Sequence, residues 1–281
     1  MNFFGIILVF KILEQYKRII TMKKVSLLSV SVFVLCTSFL LSQDQTNVIP
    51  NTAYMPGENL KYILYYGFID GGKAEINLRH VPTNNGTKIY HAKAEAKTIG
   101  MARMFIAIDD VYESYFNEQT CKPVKAIRNI KENDYRYYDE VHYDHANNKV
   151  TSKKNGVVKV PANMFDVISS LYYLRRTKFK NIKFNDTIKV MTYFADEIFP
   201  YRIIFKGRET VETPLGKIKA LKFQPIVETG RVFKEQDDMR FWISDDANYL
   251  PLRVEFDMFV GSIKCDLIEY KNVKNPLAIV K

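Results

Sequence analysis

The sequence has 281 residues, 14% of them aromatic, and a formal net charge of +10 at neutral pH. This length accommodates one or two domains, and an all-β domain can use most of such a chain by itself. Basic residues are spread along the sequence, and the densest run, residues 178–183, alternates Lys with other residues, so the clustered charge of a nucleic-acid-binding surface is excluded.

The beginning of the sequence predicts export. Residues 22–42 have a basic start, an apolar run and a polar end, which is the layout of a signal peptide. Because a signal should begin the chain, we interpret Met22 as the true start and residues 1–21 as a start-site misassignment. The alternatives are an uncleaved membrane anchor and a lipoprotein modified at Cys36. We expect a protein secreted across the inner membrane, periplasmic or associated with the outer envelope.

Residues 43–54 are predicted to form a flexible N-terminal segment, and residues 55–281 a single β domain. Within this domain apolar residues alternate at period two, and turn residues interrupt the alternation at intervals of about ten residues, as in a meander of strands. The predicted strands are 59–69, 73–81, 87–97, 111–117, 124–133, 135–144, 149–154, 187–194, 200–211, 217–226, 239–244, 250–259 and 262–271.

One segment, residues 163–176, has helical periodicity instead. Its apolar residues fall on one face of a helix, which makes the helix amphipathic. These residues are Met164, Val167, Ile168, Leu171 and Leu174. Asn163 is the predicted N-cap. Arg175 and Arg176 lie at the predicted C-terminal end, where their positive charges stabilise the negative end of the helix dipole.

The first predicted strand is apolar on both faces, so each face needs a cover. One helix cannot provide both covers, and we therefore predict a curved antiparallel sheet, forming a barrel or half-barrel, with the amphipathic helix packed against it. Two alternating sets are expected to share one side of this sheet. They are Tyr62, Leu64 and Tyr66 in the first strand, and Leu252, Val254, Phe256 and Met258 near the C-terminus.

A few residues stand out as candidates for binding. Glu209 and Arg175 are interpreted either as an ion pair that fastens the helix to the sheet or as a polar anchor for a ligand head group. An aliphatic and aromatic lining suits an acyl chain better than a sugar or a nucleotide. The predicted ligand-binding residues are Tyr62, Tyr66, Arg175, Glu209, Val254 and Phe256.

The sequence offers no catalytic motif: it lacks a nucleophile elbow, a His-Glu-x-x-His helix, a Cys-x-x-Cys pair and a phosphate-cradling glycine loop. The segment 139–145 contains two histidines and three carboxylates, but His142 and Asp144 share one face of a strand while His145 points the other way. A solvated hairpin end is the preferred interpretation. We predict no metal, no cofactor and no enzymatic activity.

Two cysteines, Cys121 and Cys265, remain after the predicted signal peptide. Export places them in a compartment where disulfides form. A bridge between them and two unpaired, buried thiols are both open interpretations.

Short stretches that run in order along most of the mature chain resemble those of a bacterial envelope family known as domain of unknown function 3108. They are Pro56-Gly57-Glu58, Gly71-Gly72-Lys73-Ala74, Asp166 with Ser170-Leu171-Tyr172 and Arg175, Gly207-Arg208-Glu209, Thr213-Pro214-Leu215-Gly216, Trp242-Ile243-Ser244-Asp245-Asp246, Leu250-Pro251-Leu252 and Gly261-Ser262. The resemblance implies a secreted, mostly antiparallel β protein without an established activity. A more distant likeness, of fold alone, is to the periplasmic lipoprotein carriers.

Two main classes of function follow. The first is a non-enzymatic envelope protein that binds an apolar or lipid-like ligand in a β half-barrel. The alternative is an envelope scaffold or protein-interaction module whose interior is filled by side chains, as in small barrels. An uncharacterised hydrolase is the second alternative.

Overall fold

The computed structural model describes residues 49–84, 86–226, 239–257 and 262–280. Across these residues it contains fourteen strands, two α-helices and one short 3₁₀ turn. In chain order these are β1 Asn59–Tyr66, β2 Ile69–Val81, β3 Ile89–Thr98, α1 Gly100–Phe105, β4 Asp109–Asn117, β5 Pro123–Glu132, β6 Tyr135–Asp144, β7 Lys149–Ser152, β8 Gly156–Lys159, α2 Val167–Arg176, the 3₁₀ turn Phe179–Asn181, β9 Thr187–Phe194, β10 Glu197–Thr213, β11 Gly216–Pro225, β12 Met239–Ser244, β13 Pro251–Asp257 and β14 Ser262–Lys271.

All fourteen strands belong to one antiparallel sheet with the order β8-β7-β6-β5-β4-β3-β2-β1-β14-β13-β12-β11-β10-β9. Consecutive strands are neighbours except β8 and β9, which form the two edges of the sheet, and β1 pairs with both β2 and β14 and so joins the two halves of the chain. The sheet curves until its two edge regions meet. This contact is shown by Val141 and Tyr143 of β6, which pack in one cluster with Tyr193 of β9. The predicted fold, a curved antiparallel half-barrel with a helix packed against it, is confirmed.

Helix α2 lies within this half-barrel. Nine of its ten residues are buried, including Ser169 and Ser170 of its polar side as well as Leu171 of its apolar stripe. The helix begins three residues later than predicted, and its N-cap is Asp166 rather than Asn163. The physical reason is that Asn163 adopts a left-handed backbone, with φ of 57°, whereas Asp166 forms a capping box with Ser169.

The strand register places the predicted inner residues on one side of the sheet. Leu64 of β1 lies opposite Cys265 of β14, which in turn lies opposite Val254 of β13. Tyr62 and Phe256 are each 2% exposed in the same core. Met258, which we also expected on this side, lies outside the described residues.

All thirteen predicted strands are present, with ends that differ by at most four residues, but the sequence analysis missed β8 and α1. Both are too short to show a period: β8 has four residues and α1 has six. Helix α1 packs on β2, with Ile99 N–H bonded to the Gly71 carbonyl at 3.0 Å. It leaves Met104 and Phe105 more than 80% exposed.

Residues 1–48 lie outside the described part of the chain, so the signal peptide and the start site stay predictions. Within the described ranges, no helix has the length and apolar character needed to span a membrane.

Candidate functional site

The C-terminal end of α2 is tied to the start of the sheet by a buried ion pair. Both terminal nitrogens of Arg175 reach the two carboxylate oxygens of Glu58 at 2.6 Å, and Arg175 Nε donates to the Asn248 carbonyl at 3.0 Å. The exposed fraction of the Glu58 and Arg175 side chains is 0% and 2%. Burial by itself lowers the pKa of Arg175, but the charge of Glu58 and its hydrogen bonds, with smaller contributions from Tyr172 and Tyr62, together outweigh burial and raise that pKa above its ordinary value.

The expected ion pair between Arg175 and Glu209 is therefore wrong. Glu209 accepts a hydrogen bond from Trp242 Nε1 at 2.5 Å on the outside of the sheet, and its side chain is 44% exposed. A β-bulge between Phe205 and Gly207 reverses the alternation of β10, so counting by two from the buried Phe205 no longer leads inward at Glu209. The sequence signal for the true partner was an acidic residue just before the first strand.

Arg176 completes this end of the helix. Its Nε donates to the Tyr54 hydroxyl at 2.6 Å, and its terminal nitrogens donate to the carbonyls of Glu118 and Gln119. The Tyr54 hydroxyl also contacts Cys121 Sγ at 3.0 Å. Burial raises the pKa of the Cys121 thiol to about 11. The polar groups at the C-terminal end of α2 therefore form hydrogen bonds with one another.

Both cysteines of the β domain are buried, and no disulfide joins them. Of the two interpretations left open by the sequence, the structure supports two separate thiols. Cys265 lies on β14 between β1 and β13, whereas Cys121 contacts the Tyr54 hydroxyl, which is bonded to Arg176 at the end of α2.

The other predicted ligand-binding residues are mostly packed in the core. The Tyr62 hydroxyl donates to the Pro251 carbonyl at 3.2 Å, and Val254 is 0% exposed. Tyr66 lies at the end of β1 and is 43% exposed. Their role in binding a ligand stays a prediction.

A recess opens at the N-terminal end of α2, where β9 approaches β4, β5 and β6. We call this contact between the two edge regions the seam. The recess has about 440 Å³ of space when its open mouth is included, of which about 40 Å³ admits the centre of a water molecule. Its lining residues are Tyr112, Glu113, Ala126, Ile127, Arg128, Asp139, Val141, Tyr143, Asp166, Val167, Ile168, Tyr193, Phe194, Ala195 and Asp196.

Two buried carboxylates form the polar part of the recess floor. Asp166 accepts from the N–H groups of Ile168 and Ser169 at 2.8 and 2.9 Å, and from Ser114 Oγ at 2.6 Å. Burial raises the pKa of Asp166 although these hydrogen bonds act to lower it. Asp139 accepts from Ser152 Oγ at 2.9 Å. The carboxylates are held in place and are not free to act as ligands.

Two tyrosine hydroxyls also line the recess without a hydrogen-bond partner among the described residues, those of Tyr143 and Tyr193. Burial raises the pKa of Tyr193 to about 12, so its hydroxyl stays protonated and can donate. A buried hydroxyl without a partner is unfavourable unless water or a ligand supplies one. These two groups therefore mark where a polar atom of a bound molecule would be stabilised.

Side chains close the seam above the recess, and two backbone hydrogen bonds of Phe165, to Met191 at 2.9 Å and from Tyr193 at 2.8 Å, tie β9 to the segment just before α2. The Phe194 ring lies 4.5 Å from the Arg128 guanidinium and 6.4 Å from the Tyr112 ring. The Tyr137 hydroxyl reaches Asp196 at a long 3.4 Å. In the described part of the chain β9 forms a strand ladder with β10 and none with β4, β5 or β6.

The histidine-rich segment forms a hairpin end, as expected. Asp144 accepts two hydrogen bonds from Asn147 in the turn, and His142 Nε2 contacts Glu140 at 2.8 Å on the exposed face. His145 Nε2 contacts the Pro123 carbonyl at 2.7 Å instead. Within the described ranges no three His, Cys, Asp or Glu residues are grouped to hold a metal ion.

Comparison with known structures gives the fold. A β-barrel-like protein of domain of unknown function DUF1849 from Brucella abortus has a TM-score of 0.53 at 8% identity and covers 79% of this chain and 99% of its own. A DUF1089 family protein from Pseudomonas aeruginosa has a TM-score of 0.37 at 7% identity and covers 64% and 87%. A hypothetical protein from Chlamydia trachomatis has a TM-score of 0.36 at 8% identity and covers 79% and 89%.

Comparison of sequences confirms the resemblance found in the short motifs. The model of the family described as protein of unknown function, DUF3108, matches residues 61–268. No curated protein matches the sequence.

Proposed function

The chain belongs to the DUF3108 family of proteins of unknown function, and we propose that it is a non-enzymatic envelope protein that binds an apolar, lipid-like group at the seam recess. The observation that carries this proposal is the chemistry of the recess. Its exposed lining is largely aliphatic and aromatic, from residues such as Ile127, Val141 and Phe194, although five charged residues also border it. They are Glu113, Arg128, Asp139, Asp166 and Asp196. Sites of this composition suit apolar ligands that carry one polar end.

In the closed form only about 40 Å³ of the recess admits the centre of a water molecule, whereas ligand sites usually enclose about 300 Å³ or more, so the recess is too small for an acyl chain. Binding therefore requires the seam to widen. Displacing the Phe194 side chain disrupts its contacts with Arg128 and Tyr112 without breaking a strand ladder, whereas opening the sheet elsewhere would break one. The seam is consequently the part of the barrel wall that opens at the lowest cost, and it lies directly over the two hydroxyls that have no partner.

The filled interior favours the scaffold alternative. Leu252 and Val254 are 0% exposed, and Phe256 is 2% exposed, so the side of the sheet where we expected the ligand is packed. For this reason the proposed ligand lies at the seam and not against β13. A scaffold function predicts that the recess stays closed and binds nothing.

A hydrolase is the weaker alternative. Its nucleophile and general base have to lie within hydrogen-bond distance of each other and of the substrate. No His or Cys is among the described residues that line the recess, and both buried carboxylates already accept hydrogen bonds from their neighbours. The recess supports binding better than it supports catalysis.

Localisation in the envelope rests on residues 22–42, whose order of basic, apolar and polar segments is that of an export signal. An apolar ligand and an envelope protein partner are both consistent with that compartment. Fractionation of cells that express the full-length chain tests it: recovery of the mature protein in the cytoplasm would contradict export.

Titration with a fluorescent fatty-acyl probe tests ligand binding. We expect saturable binding to delipidated wild-type protein and its loss in Ala126→Trp, because Ala126 lines the recess and is only partly buried. Ala107→Trp is the matched control, since Ala107 is also partly buried and lies outside the recess. Val254 would be unsuitable, because a larger side chain there perturbs the core.

Two results would contradict the proposal: equal binding by Ala126→Trp and the wild type, or no saturable binding by the wild type. Chemical-denaturation midpoints of all three proteins show whether a loss of binding reflects a loss of folding.

A further inference from the structure

The outer face of the sheet carries a second polar arrangement, on the side opposite the core. Ala92 and Ala94 of β3 point into the core, so His91 and Lys93 between and beside them point outward. Arg79 of β2 lies directly opposite His91 in the strand pairing. The three outward side chains lie close together on adjacent strands.

His91 is 1% exposed although it lies on the outer face. Its ring stacks on Tyr115, with centroids 4.2 Å apart and an angle of 14° between the planes. Its Nε2 contacts Glu113 at 2.6 Å, and its Nδ1 lies 2.8 Å from Arg79 Nε. Since Arg79 Nε can only donate, Nδ1 accepts and the proton lies on Nε2. Burial lowers the pKa of His91 and favours this neutral form.

The hydrogen bonds from His91 to Glu113 and from Arg79 Nε to His91 hold the Arg79 guanidinium in place. The two terminal nitrogens of Arg79 have no hydrogen-bond partner among the described residues, although the side chain is positioned. Arg79 borders a groove in which about 440 Å³ admits the centre of a water molecule, against about 40 Å³ in the recess. The groove is lined by Gly57, Glu58, Asn77, Leu78, Arg79, His91 and Lys93. A guanidinium held in this way presents a two-pronged donor to the groove.

The carboxylates around the groove already accept hydrogen bonds, including Glu75, which accepts from the amides of Asn59 and Asn77. Glu113 is bonded to His91, and Glu58 is bonded to Arg175 on the core side. Glu95 accepts from Lys93 Nζ at 2.7 Å, which leaves the remaining donors of this ammonium available. The groove therefore has one arginine fork and one lysine facing a space in which no carboxylate lacks a partner among the described residues.

We propose that this outer groove binds a phosphate group. Arg79 donates to two phosphate oxygens, Lys93 donates to a third, and His91 is a positioning residue that holds the guanidinium in place. The groove is larger than a bare phosphate, so the phosphate is part of a larger molecule, either a free phosphate ester or a phospholipid headgroup. The inference is independent of the proposed function, because the groove and the seam recess have no lining residue in common.

Isothermal titration with glycerol 3-phosphate and co-sedimentation with phosphatidylglycerol vesicles test this site. Arg79→Gln removes the fork and is expected to weaken binding about tenfold or more. Arg202→Gln is the matched control, because Arg202 is an exposed arginine on β10 outside the groove. It should bind within about twofold of the wild type.

Two substitutions of His91 test whether it acts by positioning Arg79 or only by packing against Tyr115. His91→Phe keeps a ring against Tyr115 but removes the acceptor for Arg79 Nε, whereas the amide of His91→Gln can still accept from Arg79 and donate to Glu113. We expect weaker binding in His91→Phe and partial recovery in His91→Gln, with denaturation curves showing that both variants are folded under the binding conditions.

Binding of both probes indicates a site for phosphate in general, and binding of the vesicles alone indicates the lipid headgroup. The inference is overturned if neither probe binds, or if Arg79→Gln and Arg202→Gln bind as the wild type does. Stronger binding of a dicarboxylate than of glycerol 3-phosphate would also overturn it.

Discussion

Helix α2 has one end in a dense polar network and the other beside a recess. At the C-terminal end, Arg175 and Arg176 are buried, and the nitrogens of both guanidinium groups donate to carboxylate, hydroxyl or carbonyl oxygens. At the N-terminal end, Asp166 is satisfied but Tyr143 and Tyr193 next to it have hydroxyls without a partner among the described residues.

This difference shows how the same helix can be both an anchor and a boundary of a binding site. The C-terminal end ties together segments that lie 117 residues apart in the chain, Glu58 and Arg175, and any movement there exposes buried charge. The N-terminal end meets the seam, where side-chain contacts replace a strand ladder. Opening should therefore begin at the seam, and loss of the fold should follow changes at the C-terminal end.

Among the substitutions that test this difference between the two ends, Glu58→Gln should lower the free energy of unfolding most. It removes the negative charge but keeps the shape, so Arg175 is left as an unpaired buried charge, which costs about 3 to 5 kcal/mol of unfolding free energy. Urea denaturation measures it. Glu269→Gln is the control, since Glu269 pairs with Lys61 at an exposed position, and its midpoint should match the wild type. Equal midpoints for both variants would remove the distinction between the two ends.

Leu171→Ala tests the middle of the helix. Leu171 is 3% exposed, and its truncation should cost about 2 to 5 kcal/mol, because a cavity forms where the helix packs on the sheet. The same denaturation experiment measures this loss. A midpoint equal to that of the wild type would show that α2 is not docked in the barrel.

A smaller effect, on the pH dependence of stability, is expected for Asp166→Asn. Burial raises the pKa of Asp166 above its ordinary value of 3.8, so the folded state holds this proton more tightly than the unfolded state does. Stability of the wild type relative to the variant should rise as the pH falls through the folded pKa, and level off below 3.8. Asn still caps the helix.

Unfolding curves of both proteins between neutral and acidic pH measure this difference, and titration of all the other groups largely cancels in the comparison. A stability difference that stays constant with pH would show that Asp166 has the same pKa in both states.

The smallest effect is expected at the recess itself. Tyr193→Phe removes a hydroxyl without a partner among the described residues and should change the unfolding free energy by less than about 0.5 kcal/mol. Tyr62→Phe is the matched variant in the core, and it should cost about 0.5 to 1.5 kcal/mol because the Tyr62 hydroxyl donates to the Pro251 carbonyl. A larger loss for Tyr193→Phe would indicate that its hydroxyl is already bonded in solution.

Much of the fold could be predicted from the sequence because it depends on local patterns. Alternation at period two located the strands, and the spacing of Val167, Ile168, Leu171 and Leu174 located the helix. Strand β8 and helix α1 were missed, since four and six residues show no clear period.

The candidate sites were harder to predict. Glu58 was visible only as part of a short motif, and nothing local indicates that it meets Arg175. The error at Glu209 came from a single bulge, which reverses the direction of every following side chain in a strand.

The sequence by itself determined which residues face a core, because burial of apolar side chains imposes a period of two on strands and 3.6 on helices. Only the tertiary structure decided which core positions pack completely and which border the recess. That depends on how far the sheet curves before its edge regions meet, and on the side chains of Arg128, Tyr137 and Phe194 that fill the gap between them. Those contacts join segments far apart in the chain, and no local pattern records their distance.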